Sequence, residues 1–307
     1  MKAGEDQVTQ WFAHHAELNP AKFPIGIGDD MAQVRLQAGR SMLITTDMLL
    51  DGVHFDLQKA ALKQVGYKAM AVSLSDCAAM ATVPVAAVVA VALPEGFAAK
   101  ELKQLHSGII RATDRFECPL IGGDITSWPA PGRLAVSVAM LSRPGHCRPV
   151  KRSTATVGDC ICVTGSLGGS LYGKHLKFLP RLKEALAITR LVKVNAMIDI
   201  SDGLSTDLNR ICRQSKVGAV IDAALIPVSQ QARKCPCPLS SALNDGEDFE
   251  LVFTLSQKNC SELLSRWRGP VPITKIGTIN STGKVRIKMP DGRVTILPPG
   301  GYDHLHQ

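Results

Sequence analysis

The sequence predicts a two-domain α/β protein, and three observations carry that prediction. A chain of 307 residues that is 45% hydrophobic and 20% charged has enough apolar mass for two packed domains, which excludes a disordered or fibrous protein. Helical and extended patterns alternate along it twice. Between the alternations, Ser142 to Pro149 holds two prolines, a glycine and two arginines, the composition of an interdomain loop. The expected domains are therefore 1–143 and 144–307.

In the first domain a helix is expected near 5–18, then strands at 33–37 and 41–47 and a helix rich in small residues over 60–80. The uncharged stretch from Cys77 to Leu93 is shorter than the roughly 20 residues a membrane-spanning helix needs. Pro84 divides it, which predicts a buried helix followed by a buried strand over 85–93. A helix at 98–115 and strands at 118–121 and 133–142 complete this half. In the second domain a strand is expected at 160–164, where Cys160 and Cys162 alternate as core thiols. Helices at 168–186 and 203–215 and strands at 249–255, 273–279, 284–289 and 293–297 follow.

Composition narrows the function. Lys and Arg number 35 against 27 Asp and Glu, and the net charge of +8 favours anionic ligands. The cations are scattered and aromatics make up only 5%, so neither a basic stripe nor a stacking platform for nucleic acid is evident. Glu5 and Asp6 near the start argue against a secretory signal, so a cytoplasmic protein without membrane attachment is expected. Nine cysteines without a regular framework predict reduced thiols, and Cys235 and Cys237 lack partners at zinc spacing.

Two glycine-rich segments fail as nucleotide motifs. The run Gly168 to Lys174 fits a P-loop until His175, where a magnesium-binding hydroxyl is required, and Pro180 would break the helix that should follow. Gly26 and Gly28 lack the third glycine of a dinucleotide fingerprint.

What stands out instead is aspartate at turns and strand ends in five places: Asp29 with Asp30, Asp47, Asp76, Asp124, and Asp199 with Asp202. Any one of them could be a turn or helix cap, and Asp202 could cap the helix expected at 203–215. Carboxylates beside apolar segments are costly unless paired or bound to a cation. If these converge they form a site for several Mg²⁺ ions, and magnesium usually works on phosphates such as ATP. No compact Ser-His-Asp or Cys-His grouping is visible. Phosphoryl transfer by positioning and charge neutralisation suits the residues better than hydrolysis by a side-chain nucleophile.

The order of these motifs resembles the thiamine-monophosphate kinase family of the aminoimidazole ribonucleotide synthetase-like superfamily. The matching stretches are Gly26 to Asp30, Thr45 to Asp47, Asp51 to Phe55, Gly66 to Ala69, Ser73 to Asp76, Ile121 to Asp124, Arg152-Ser153, Gly158-Asp159, Val163 to Gly165, Ile198 to Leu204, Gly246 to Leu251 and Gly301 to His304. They span nearly the whole chain. The resemblance implies an N-terminal α/β domain whose sheet pairs across a homodimer, and a C-terminal α/β domain. It implies transfer of the γ-phosphoryl of ATP onto thiamine monophosphate, giving thiamine diphosphate.

By the same resemblance Asp30, Thr45, Thr46, Asp47, Asp76, Asp124, Asp199 and Asp202 hold magnesium, some through backbone oxygens, with Asp47, Asp124 and Asp202 central to catalysis. Gly123, Asp124, Arg152 and Ser201 contact ATP, and His54, Glu247 and Tyr302 line the acceptor site. The chain departs from the family at Asp245, where glycine is usual, after Ser153, and between Lys174 and Val194. Two alternatives stay open at this level: another ATP-using enzyme of the superfamily, or a non-catalytic protein that binds nucleotide or thiamine phosphate.

Overall fold

The computed structural model describes residues 10, 13, 18–37 and 40–305. Most of the helix expected near 5–18 lies outside the described residues. The first half supplies β1 (Ala32–Gln37), β2 (Arg40–Leu50), α1 (Leu62–Ala79), β3 (Thr82–Leu93), α2 (Ala99–Phe116), β4 (Leu120–Ser127) and β5 (Ala135–Pro144). Its strands form one sheet in the order β1-β2-β5-β3-β4, antiparallel except between β3 and β4. Side chains along β2 alternate between the two faces of this sheet. Leu43 and Leu49 of β2 are buried under α1, whereas Ile44 and Met48 stand 42% and 58% exposed on the other face, with Val85 and Val88 of β3.

The second half supplies β6 (Cys160–Thr164), α3 (Leu182–Leu191), β7 (Ala196–Asp199), α4 (Leu204–Ser215), β8 (Gly218–Asp222), α5 (Pro238–Asn244), β9 (Leu251–Leu255), α6 (Gln257–Arg266), β10 (Ile273–Asn280), β11 (Val285–Lys288) and β12 (Val294–Ile296). These strands form a separate sheet in the order β12-β11-β8-β10-β6-β9-β7. The expected two-domain α/β organisation is thus present, with no strand shared between the sheets. Their cores are less separate. Cys160 and Cys162 of β6 face the large core that also holds α1, while Ile161 and Val163 face a second core beneath α4. The alternation expected for the two thiols therefore divides one strand between two cores.

Helix α1 is buried nearly all round because it packs against β2 and β5 on one side and β7 and α3 on the other. Its close approach to α2 depends on two glycines. A Cβ on Gly66 would collide with the carbonyl oxygen of Leu105, and one on Gly108 with that of Lys63. No helix among the described residues is long and apolar enough to cross a membrane.

Three expectations need correction. The helix expected over 168–186 does not form: Gly168, Gly169 and Gly173 all adopt positive φ, short 3₁₀ turns replace it at 170–172 and 174–176, and α3 starts only after Pro180. The strand expected at 118–121 instead runs from Leu120 to Ser127, so Gly123 and Asp124 lie within it and not at a turn. That is possible because β4 pairs parallel with β3, and Gly123 passes so close to the Val89 carbonyl oxygen that no Cβ fits. Strands β7 and β8 and helices α5 and α6 were not anticipated; β7 and β8 have only four and five residues, too few to show a period.

Candidate active site

Strand β2 alternates, so Thr45 and Asp47 face α1 while Thr46 lies with Ile44 and Met48 on the open face. Helix α1 meets them with a run of polar residues. Ser73 Oγ donates to Asp47 Oδ2 at 2.5 Å, Thr45 Oγ1 donates to Asp76, and Ser75 Oγ donates to Asp199 Oδ2 at 2.6 Å. Asp199 ends β7 in the second sheet, so this hydroxyl joins the two halves. The result is that Asp30, Asp76 and Asp199 each present a carboxylate oxygen within 4.8 Å of the others, the one such grouping among the described residues.

The electrostatics of the group are unfavourable as it stands. Burial, together with the neighbouring carboxylates of Asp47, Asp199 and Asp30, pushes Asp76 well above the usual carboxylate range. Burial and then Asp30 do the same to Asp199, and burial raises Asp47 to about 6. A guanidinium against the group is that of Arg152, which grips Asp30 with Nε to Oδ2 at 2.9 Å and Nη2 to Oδ1 at 2.7 Å. Its backbone N–H donates to Asp29 at 2.8 Å. A hard divalent cation fits this set of oxygens and would relieve the repulsion.

Asp202 does not cap α4, whose N-cap is Gly203 with no side-chain hydrogen bond. Its Oδ2 accepts from Arg210 at 2.5 Å, and the same guanidinium nitrogen reaches Asp207 Oδ1 at 2.8 Å. Asp207 is fully buried, its pKa raised to about 7 by burial first, and its other oxygen accepts the Asp202 N–H at 3.1 Å. Sequence reasoning missed Asp207 and Arg210. Their i,i+3 spacing at the start of a helix was the available signal.

Next to this network is a cavity of about 260 Å³ whose wall includes Asp47, His54, Ser201, Asp202, Glu247 and Tyr302. His54 Nδ1 accepts the Leu50 N–H at 3.1 Å, so in the neutral ring Nε2 carries the proton. Burial, then Lys68 and His304, lowers its pKa to about 4 and keeps it neutral. The Tyr302 ring stands edge-on to His304, with centroids 4.7 Å apart. The tail is held by Tyr302 N–H donating to the Asp202 carbonyl at 3.2 Å, and Gly301 passes that carbonyl too closely for any Cβ.

The structure therefore gathers most of the residues singled out by sequence, and leaves three apart. Asp124 pairs in register with Ala90, Ala90 with Ser137, and Ser137 with Met48, which sets it three strands, roughly 14 Å, from β2. Gly123 beside it and Thr46 on the open face are likewise outside the cleft. The departure at Asp245 has a structural role: its carboxylate accepts from Gly169 N–H at 2.9 Å and from Ser241, tying α5 to the glycine turn. Lys174 of the failed P-loop is spent on Glu250 at 3.0 Å.

The two α/β halves, with the carboxylate cluster between them, fall within the AIR synthase-related class. Residues 28–143 match the AIR synthase related protein N-terminal domain, and residues 156–290 its C-terminal domain. The chain is 34% identical to a thiamine-monophosphate kinase of Rhodopirellula baltica, covering 91% of each chain, and 32% identical to one of Escherichia coli K12, covering 99% of each. It superposes with a TM-score of 0.84 and 28% identity on a solved structure described as AaThiL complexed with AMPPCP and TMP, covering 99% of both. The chain belongs to the thiamine-monophosphate kinase family.

Proposed function

We propose that this protein transfers the γ-phosphoryl group of ATP to the phosphate of thiamine monophosphate, releasing thiamine diphosphate and ADP. The observation that carries the reading is the convergence of Asp30, Asp76 and Asp199 beside the cavity walled by His54, Glu247 and Tyr302. The relatives are named for this activity, and AaThiL was solved with an ATP analogue and TMP.

On this reading Asp30, Asp76 and Asp199 hold magnesium, with Thr45, Asp47 and Asp202 next to them. Thr46 would add a backbone oxygen, and Asp124, three strands away, would hold a separate magnesium at the open edge of the sheet. Bound magnesium would supply charge neutralisation at the transferring phosphates. The acceptor is a phosphate oxygen that is already anionic, so no side chain has to remove a proton from it. His54 Nε2–H is a neutral donor to an acceptor oxygen, and Tyr302 offers an aromatic edge or face to a flat ring. Ser201 and Arg152 contact ATP from the cleft, and Gly123 and Asp124 from the open edge of the first sheet.

A cytoplasmic homodimer belongs to the same reading. The face carrying Ile44 and Met48 of β2 and Val85 and Val88 of β3, on either side of β5, exposes these apolar side chains, and a second copy would cover it. Domains 1–143 and 144–307 then divide the work, the first for metal, ATP and dimer contacts, the second completing both substrate sites. The test is ADP release by purified protein with ATP and Mg²⁺. Release is expected with thiamine monophosphate and not with free thiamine; equal turnover of both, or of neither, would overturn the assignment.

A further inference from the structure

Lys68 of α1 is fully buried, at 0% exposure. A buried ammonium is costly unless paired, and burial lowers its pKa while Glu247 restores part of it. Its Nζ has two partners: the His54 carbonyl oxygen at 2.5 Å and Oε2 of Glu247. One lies in each half of the molecule. Both belong to residues that wall the cavity.

The Glu247 side of this contact is built at a conformational cost. Glu247 and Phe249 are non-glycine residues at φ +53° and +48°, a left-handed backbone that strains a residue carrying a Cβ. The strained loop is fixed by Glu247 N–H donating to the Ser201 carbonyl at 2.6 Å and by Ser170 Oγ donating to the Glu247 carbonyl. All of this delivers one carboxylate oxygen to one ammonium. The other oxygen, Oε1, makes no hydrogen bond among the described residues, and the side chain stays 19% exposed at the cavity.

We propose that Lys68 is a positioning residue for the phosphoryl acceptor: by holding Oε2 of Glu247 and the His54 carbonyl, it presents Glu247 Oε1 to the cavity as an anionic partner for a cationic or N–H-bearing ring of the acceptor. The inference rests on the reading of this cavity as the acceptor site. A salt bridge that merely fastened the two halves together would affect ATP and acceptor alike. A positioning residue affects the acceptor selectively.

Steady-state kinetics of Lys68→Met, similar in length but uncharged, separate the two. The expected result is a KM for thiamine monophosphate raised about tenfold or more, the loss of one charge-assisted contact, with the KM for ATP within about twofold. Equal rises in both KM values, or none in either, would overturn the proposal. Should Lys68→Met not fold, the double variant Lys68→Met/Glu247→Leu removes both charges and leaves an apolar pair. It is expected to show the same acceptor defect as Glu247→Leu alone, because Lys68 acts through Glu247; a defect larger by another tenfold would count against it. Wild-type protein without acceptor-dependent ADP release would instead refute the underlying reading, whatever the variants do.

Discussion

Arg152 binds Asp30 through both carboxylate oxygens, at 2.9 and 2.7 Å, and so supplies positive charge to the carboxylate cluster. Replacing it with Met leaves Asp30 buried beside Asp76 and Asp199 without this bidentate partner. Breaking a buried pair in this way costs about 3–5 kcal/mol. Arg152→Met is therefore expected to melt well below wild type in EDTA and to recover part of the difference in millimolar MgCl₂. An equal loss with and without magnesium would place the cation elsewhere.

Asp47 accepts from Ser73 and faces the cleft from β2 without contributing apolar packing. Asp47→Asn keeps the shape and one acceptor oxygen while removing the negative charge. Turnover should fall by about 10² or more, with the melting temperature unchanged or raised, since the repulsion it exerts on Asp76 disappears. Retained activity in a normally folded variant would remove Asp47 from the metal set.

Asp248 Oδ1 is the single buried side-chain polar atom without a hydrogen-bond partner among the described residues. Burial outweighs Lys174 at 3.7 Å and the Gly168 N–H, and its pKa rises to about 7. Between the ordinary 3.8 and about 7 the native protein holds a proton that the unfolded chain has released. The stability contributed by this group is thus full below that window and lost as pH rises through 7, by at most about 1.4 kcal/mol per unit. In urea melts Asp248→Asn should be more stable than wild type at pH 8 and lose that advantage at pH 5. Parallel pH profiles would show that Asp248 stays ionised.

Gly66 and Gly108 set the separation of α1 and α2, and a methyl on either meets backbone, which cannot move aside. Gly66→Ala is expected to cost about 3 kcal/mol, roughly 6–12 °C in melting temperature for a chain of this size. A melt within 2 °C of wild type, on the scale of about 0.5 kcal/mol, would show that the helices separate freely.

Met48 stands on the open face of the first sheet. If that face is the dimer contact, Met48→Glu puts a carboxylate from each copy into an apolar contact and should yield monomer in light scattering at micromolar concentration. A dimer of unchanged mass would direct attention to another surface.

The long elements and the aspartates could be read from sequence because their physics is local. Helices α1, α2 and α4 end within a few residues of where the pattern puts them, and Asp47, Asp76 and Asp199 stand out as carboxylates in apolar surroundings. What could not be read depends on distance in space. Nothing in the run Ser73 to Asp76 says that its two serines serve aspartates from different sheets, or that Lys68 is buried against residue 247. Asp124 shows the converse: its motif suggested a turn at the metal site, and strand pairing carries it to the sheet edge. Positive φ at Gly168, Gly169 and Gly173 likewise overrides the local pattern that suggested one long helix.

Lys68 and Asp76 sit on one unbroken helix eight residues apart, about 12 Å along its axis. On the proposed function helix α1 therefore acts as a ruler, holding the place for the acceptor and the place for the cations at a constant spacing. Each end is latched to the second half of the molecule, Lys68 to Glu247 and Ser75 to Asp199. Any hinge opening between the halves must stretch both latches at once. If acceptor and cations bind where proposed, release of the one and loosening of the other would be geared to a single movement.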